Sequence, residues 1–257
     1  MIRIKNLYKS FNGNAVLRGL NLDIHKGELL VIAGRSGSGK SVLLKHIIGL
    51  FKPNSGEILI DDHDMTKLYG RAYYEVLKSF GIIFQGGALF DSMTVRENVG
   101  FYIHEHKMRG GKKFPLSDID RIVEEALVSV GLEGTADLYP SSLSGGMQKR
   151  AAIARSVIYQ PKYLLYDEPT TGLDPITAMT IADLILKKHR KLQGTTIVVS
   201  HDIYTMINIA DKIALHEDGV IKVQGTPDEF MKQDHPSIKA FNKVIGGNIE
   251  NIRERKQ

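Results

Sequence analysis

The sequence predicts an α/β protein: a core with a mostly parallel sheet, a small antiparallel β-subdomain ahead of it, and a helical insertion on the side of the sheet. Three observations predict it. Ile2 to Leu7 and Val16 to Ile24 alternate apolar and polar residues around the turn Asn12-Gly13-Asn14, which reads as paired antiparallel strands. From Glu28 onward short continuous apolar runs are followed by helical periodicity, the mark of buried parallel strands with crossover helices. Between the second and third of these runs, roughly residues 99 to 159, Ile119, Ile122, Val123, Ala126, Leu127 and Val130 recur at helical spacing and stop at Gly131.

Four apolar runs make up the expected parallel sheet. Leu29 to Ala33 leads into a glycine-rich loop, and Gly81 to Phe84 ends at Gln85. Tyr163 to Tyr166 ends at Asp167-Glu168-Pro169, and Thr196 to Ser200 ends at His201-Asp202. Each run delivers a chemically capable residue just beyond its carboxyl end. Open parallel sheets bind ligands along that edge, so four separate segments point to one site. From Thr226, Thr-Pro-Asp-Glu is a helix start signal, and the polar stretch Asn248 to Gln257 is expected to fray.

Composition narrows the function classes. The 257 residues are 42% hydrophobic and 25% charged, an ordinary globular balance with ample core. Cysteine is absent, which excludes disulfides and any cysteine-ligated zinc or iron–sulfur site. The longest apolar stretches are far short of the about twenty residues a membrane span needs. Met1-Ile2-Arg3-Ile4 runs directly into strand-like sequence, so no leader peptide is expected. The net charge of +5 is spread along the chain without long like-charged runs. It reads as a mildly basic surface, and no nucleic-acid partner is expected.

The chemistry lies in the loops. Gly34-Arg35-Ser36-Gly37-Ser38-Gly39-Lys40-Ser41 follows a strand and precedes an apolar helix, Val42 to Leu50, which is the context a phosphate loop requires. Small residues let backbone N–H groups curl around phosphate at the helix N-terminus. Lys40 would reach the β- and γ-phosphates and Ser41 would ligate magnesium. Asp167, at the end of the third run, suits a magnesium-holding carboxylate. Adjacent strand residues face opposite ways, but Pro169 ends the strand, so Glu168 can also turn toward the phosphates and polarise the attacking water. The alternative is an exposed acidic turn. Gln85 could bond the metal or the water, and His201 could hold the γ-phosphate. Leu143-Ser144-Gly145-Gly146-Met147 opens a second helix, Gln148 to Ile158, making another phosphate site. One chain needs only one γ-phosphate cradle, so the second suggests a nucleotide bound to another copy. His104-Glu105-His106 fits no helical ligand spacing and reads as solvated surface; His46, His189 and His216 carry no signal.

Those motifs in that order, with Thr171-Gly172-Leu173-Asp174, resemble the nucleotide-binding subunit of ABC transporters over about residues 1 to 225. The resemblance implies an ABC ATPase domain at 1–225, with a helical subdomain at roughly 87–160, and a C-terminal extension at 226–257. It implies MgATP hydrolysis by a head-to-tail dimer. Gly34, Arg35, Ser36, Gly37, Ser38, Gly39, Lys40, Ser41 and Val42 would bind ATP, and Ser144, Gly145 and Gly146 would close on the partner copy's ATP. Ser41, Gln85 and Asp167 would hold Mg2+, with Glu168, His201 and Gln85 catalytic. Phe11, 23 residues before Gly34, would stack on adenine; its alternative is a core or hairpin aromatic. Met147 departs from the common glutamine, while Ser144 and both glycines remain.

A narrower likeness involves Phe84 to Ser92, the methionine-ended signature, Asp174-Pro175-Ile176 and His235 to Phe241. These resemble the ATPase of MCE-type (Mla) lipid-transport systems. That implies a peripheral location on the cytoplasmic face of the inner membrane and a separate integral-membrane permease. An MCE-domain protein and a small STAS-like cytoplasmic protein are further implied partners. The stretch after Gln85 would meet the permease, which suits Leu89, Phe90 and Met93 as exposed residues. The rivals are an ABC ATPase for an amino acid, metal or drug, and a soluble ABC ATPase acting on DNA or ribosomes. The latter usually carries paired cassettes, zinc modules or long coiled coils, none of which is seen. A non-hydrolysing binding module is argued against by Glu168 and His201.

Overall fold

The computed structural model describes residues 1–106, 108–109, 112–113, 115 and 118–245. The polar stretch Asn248 to Gln257 lies outside the described residues. The chain divides into two compact units, one of residues 1–68 and 197–257, the other of residues 69–196.

The first unit opens with β1 (Ile2–Phe11), β2 (Asn14–Ile24), β3 (Leu29–Ala33), α1 (Lys40–Ile47), β4 (Ser55–Ile60) and β5 (His63–Asp64). The second contains α2 (Gly70–Leu77), β6 (Phe80–Ile83), α3 (Val95–His106), β7 (Met108–Arg109), β8 (Lys112–Lys113) and α4 (Ile119–Val128). It continues with α5 (Gly145–Val157), β9 (Tyr163–Asp167) and α6 (Pro175–Leu192). The chain returns to the first unit within β10 (Thr195–Ser200). It ends with α7 (Ile203–Met206), β11 (Lys212–Glu217), β12 (Val220–Gly225), α8 (Pro227–Met231) and α9 (Pro236–Ile245).

The predicted alternation at the start produces an antiparallel sheet of order β2-β1-β4-β5. Ile2 stands opposite both Ile24 and Ile60, and Ile2, Ile4, Leu7, Leu20, Leu22 and Ile24 turn their side chains to a common buried face. The other sheet of this unit runs β12-β11-β3-β10, with β3 parallel to β11 and β12 antiparallel to it. All five residues of β3 are completely buried. Each of its four large side chains contributes about 1.5–3 kcal/mol relative to exposure, which fixes where the following loop begins. The strand's first residue is anchored as well: the Leu29 N–H donates to Asp211 Oδ2 at 2.8 Å. α1 is shorter than the predicted Val42 to Leu50, because Gly49 takes φ +70° after the helix ends at Ile47. The predicted start at Thr226 is a full capping box, with Thr226 and Glu229 bonding each other's backbone N–H groups.

In the second unit β6 and β9 pair in parallel, from Phe80 opposite Tyr163 to Ile83 opposite Tyr166. β9 is buried throughout, and the Thr195 N–H donates to the Lys162 carbonyl at 3.0 Å. α3, α4 and α5 lie against one another; Ala151, Ala152, Ile153 and Ala154 of α5 are buried. Ser144 caps α5 and Asp174 caps α6, the latter accepting from the Ile176 and Thr177 N–H groups at 3.1 and 3.0 Å. Among the described residues, no helix is long and apolar enough to cross a membrane.

Asp211→Ala removes a charge-assisted bond at the origin of β3, where such bonds contribute about 1.5–3 kcal/mol. Urea unfolding should show a loss of that size with an unchanged m-value; an unchanged midpoint would mean that this contact does not anchor the strand.

Candidate functional site

The phosphate loop leaves β3 at Gly34. A Cβ there would come within 2.4 Å of the His216 carbonyl oxygen on β11, so only glycine fits between the two strands. Gly37 and Gly39 take φ +76° and +103°, which curls the loop back before α1 begins. Lys40 is buried, and its ammonium donates to the carbonyls of Gly34 and Arg35 at 2.9 and 3.0 Å. The cation is thus already drawn over the loop. Arg35, Ser36 and Gly37 are exposed at the tip, and Ser41 and Val42 are half-buried in the first turn of α1. A cavity of about 350 Å3 opens beside Val16, Arg35, Ser36, Gly37 and Ser38. This cradle fits a polyphosphate: small residues, a helix N-terminus and the buried Lys40 cation, with room beside the loop.

Beneath the loop lies a residue that the sequence did not signal. His216 is completely buried, with Nδ1 3.3 Å from Ser38 Oγ. Burial, with a smaller contribution from the Lys40 charge, pulls its pKa down to about 4. It is therefore a neutral floor for the loop.

Phe11 stands at the end of β1 and is 38% exposed, so it is not a core residue. Its ring meets Phe51 edge-on at 5.5 Å, and Phe51 meets His46 at 5.7 Å. The His46 Nδ1–H donates to the Val42 carbonyl at 2.7 Å. This ladder joins the exposed ring to the first turn of α1. Lys9 approaches the Phe11 ring at 5.0 Å. His201 follows directly on β10, the strand beside β3, and is exposed.

The second unit carries the other candidates, and sets the Gln85 loop beside Asp167 and Glu168. Because Ile83 pairs with Tyr166, Gln85 and Glu168 each stand two residues beyond matched positions at the carboxyl ends of parallel neighbours. Asp167 and Glu168 are both buried, so the pair is not an exposed acidic turn. Glu168 adopts φ +50°, an uncommon left-handed conformation for a non-glycine residue, just before Pro169. That reversal, more than the proline alone, frees its side chain from strand alternation. The Thr171 hydroxyl donates to Glu168 Oε2 at 3.1 Å and orients the carboxylate.

Ser144 and Gly145 are exposed at the head of α5, whereas Gly146 is buried, its α-carbon facing the Thr177 methyl. The Ser144 hydroxyl accepts from the Met147 N–H at 3.3 Å, so it caps its own helix. Gln85 is exposed, and its carbonyl accepts from the ammonium of Lys149, a buried residue absent from the sequence-based set. In the stretch after Gln85, Phe90 is exposed, but Leu89 and Met93 are half-buried, contrary to expectation. Asn98 draws this turn inward: it accepts from the Phe90 N–H at 2.7 Å and donates to the Phe90 and Met93 carbonyls. His104, Glu105 and His106 are exposed as expected.

Among the described residues no cluster of three or more histidine or acidic side chains could hold a metal. Each unit by itself offers an oxygen donor of the kind magnesium takes, the Ser41 hydroxyl in the first and the Asp167 carboxylate in the second; magnesium is ordinarily bound through one or two protein oxygens together with phosphates and water.

Comparisons with known proteins identify the family. The ABC transporter family profile matches residues 17–171. The intermembrane phospholipid transport system ATP-binding protein MlaF of Haemophilus influenzae is 40% identical over 95% of this chain and 90% of its own length. The methionine import ATP-binding protein MetN of Carboxydothermus hydrogenoformans is 38% identical over 95% of this chain and 72% of its own. A solved dimeric ATP-binding cassette, in a post-hydrolysis state bound to ADP and Pi, superposes with a TM-score of 0.79 at 32% identity. It covers 88% of this chain and 99% of the cassette. A P-loop core with a mostly parallel sheet, an antiparallel β-subdomain and a helical insertion is the fold of such cassettes. The chain belongs to the ABC transporter family, as one of its ATP-hydrolysing cassettes.

Proposed function

We propose that this cassette hydrolyses MgATP to drive phospholipid or other lipid movement through a separate membrane permease. It would sit peripherally on the cytoplasmic face of that membrane and work as a head-to-tail pair. The observation that carries the hydrolytic reading is the left-handed turn at Glu168, which buries a carboxylate at the end of β9 beside the loop of Gln85. The phosphate loop from Gly34 to Ser41 and Val42, in the first turn of α1, hold the phosphates. Lys40 exchanges its bonds to loop carbonyls for bonds to phosphate oxygens, a cation already in place. Phe11 offers its ring face to the base. Ser41, Asp167 and Gln85 would hold Mg2+, which would supply charge neutralisation to the bound nucleotide's phosphates. Glu168 accepts a hydrogen bond from water and turns its lone pair on the γ-phosphorus. His201 holds the γ-phosphate through a ring N–H. Ser144, Gly145 and Gly146 of the second copy complete the cradle, and Phe90 belongs to the surface that meets the permease.

The lipid assignment is supported by the MlaF relative and by the residues after Gln85. A second cargo class, an amino acid, is favoured by one specific finding: the methionine import relative is almost as similar. In an envelope with two membranes, an MCE-domain protein and a small STAS-like protein would be further partners. Deleting the gene should disturb phospholipid distribution and envelope permeability, measured by leaflet labelling and dye entry. Normal lipids with defective uptake of one amino acid would overturn the lipid reading.

Phe11→Ala should weaken ATP affinity by about 1–3 kcal/mol, the range for base–aromatic stacking, in a fluorescent-nucleotide titration; unchanged affinity removes Phe11 from the site. Glu168→Gln preserves size and removes the carboxylate. Turnover should fall by about 10² to 10⁴, while ATP still binds and holds two copies together on light scattering. Adding Ser144→Arg should prevent that association by filling the second cradle. Wild-type turnover in Glu168→Gln excludes the base assignment, and association that survives Ser144→Arg excludes the second-copy assignment.

A further inference from the structure

Helix α5 carries two buried or half-buried cations toward the loop after β6. Lys149 donates to the carbonyl of Gln85. Six residues further on, Arg155 donates to the carbonyls of Gly87 and Ala88 at 2.8 and 2.7 Å. Ala152 lies between them at i+3 spacing, on the same helix face. A Cβ added at Gly87 would lie 3.6 Å from Ala152 Cβ, in ordinary contact. Residues 85–88 therefore rest on one stripe of α5 and are held there by their backbone carbonyls. The side chain of Gln85 takes no part in this hold.

We propose that Lys149 is a positioning residue: by fixing Gln85 through its carbonyl to the helix that Ser144 heads, it ties the second phosphate cradle to the hydrolytic residues at the ends of β6 and β9. Two lines support it. Lys149 is only 8% exposed, and a buried ammonium needs partners. It stands five residues after Ser144 on a continuous helix, so a displacement of the cradle reaches Gln85 without a flexible joint. Closure of a second copy onto Ser144 would then set the Gln85 loop in the same motion. The inference rests on the assignment of Gln85 and Glu168 given above.

Lys149→Met keeps the apolar stem and removes the donor; Lys149→Arg restores one. In the full-length protein, Lys149→Met should lower kcat on the order of 10- to 100-fold, the cost of a small misplacement of reacting groups. The KM for ATP should stay within about twofold, because the phosphate loop itself is untouched. Hydrogen exchange at residues 85–88 should accelerate about tenfold or more, as local opening becomes easier. Lys149→Arg should reverse both effects. Lys149→Gln serves in place of the methionine variant if that one does not fold. Unchanged exchange at 85–88 overturns the proposal, as does faster exchange with kcat within about twofold of wild type, or a failure of arginine to rescue. If Glu168→Gln alone turns over normally, the base assignment is what has failed. The loop exchange and the arginine rescue still decide Lys149 independently.

Discussion

A backbone with no room for a side chain governs the phosphate loop. β3 and β11 run in parallel so closely past Gly34 that the His216 carbonyl would meet any Cβ at 2.4 Å. The loop must therefore leave the strand at that point. Gly37 and Gly39 then turn it, and the Lys40 ammonium closes it by bonding the carbonyls it has just passed. The five wholly buried residues of β3 keep the strand from sliding, since a shift of one residue would place polar groups in the core. The phosphate-holding run from Arg35 to Val42 takes its position from this contact, whereas Phe11 and His201 are set by β1 and β10.

The second unit solves a different problem. Two adjacent carboxylates at a strand end would ordinarily point to opposite faces. The left-handed residue at Glu168 breaks that alternation, and a bond from Thr171 fixes the result. Such a conformation costs of order 1–3 kcal/mol, and the burial of the whole of β9 before it, Leu164 and Leu165 included, helps to offset the cost. Strain of this kind at a candidate catalytic residue is a reason to regard the turn as functional.

Much of this was legible in the sequence, because the signals are local. Alternation before Ile24 and continuous apolar runs after Glu28 set the two kinds of sheet, and glycine spacing announced the loop at Gly34. The carboxylates at 167 and 168 were placed by the proline that follows them. What escaped notice depends on contacts distant in sequence. His216 lies 178 residues from Ser38, and nothing near it marks it as a floor. Lys149 reaches back 64 residues to Gln85. Phe51 and His46 are ordinary residues of an apolar stretch until Phe11 is brought against them. Leu89 and Met93 read as exposed because Asn98, a single buried polar residue eight positions from Phe90, is what folds their turn inward.

The depressed basicity of His216 makes the phosphate cradle electrically constant. With a pKa near 4 in place of the ordinary 6.5, the ring stays uncharged in the folded protein throughout the physiological range. The unfolded chain binds a proton there as soon as the pH drops below 6.5, so native stability drawn from this site is complete above that value. It is lost progressively as the pH falls toward 4. The fold has placed a titratable ring beside its most important cation and removed its sensitivity to the proton, so modest acidification leaves the charge that awaits the phosphates unchanged.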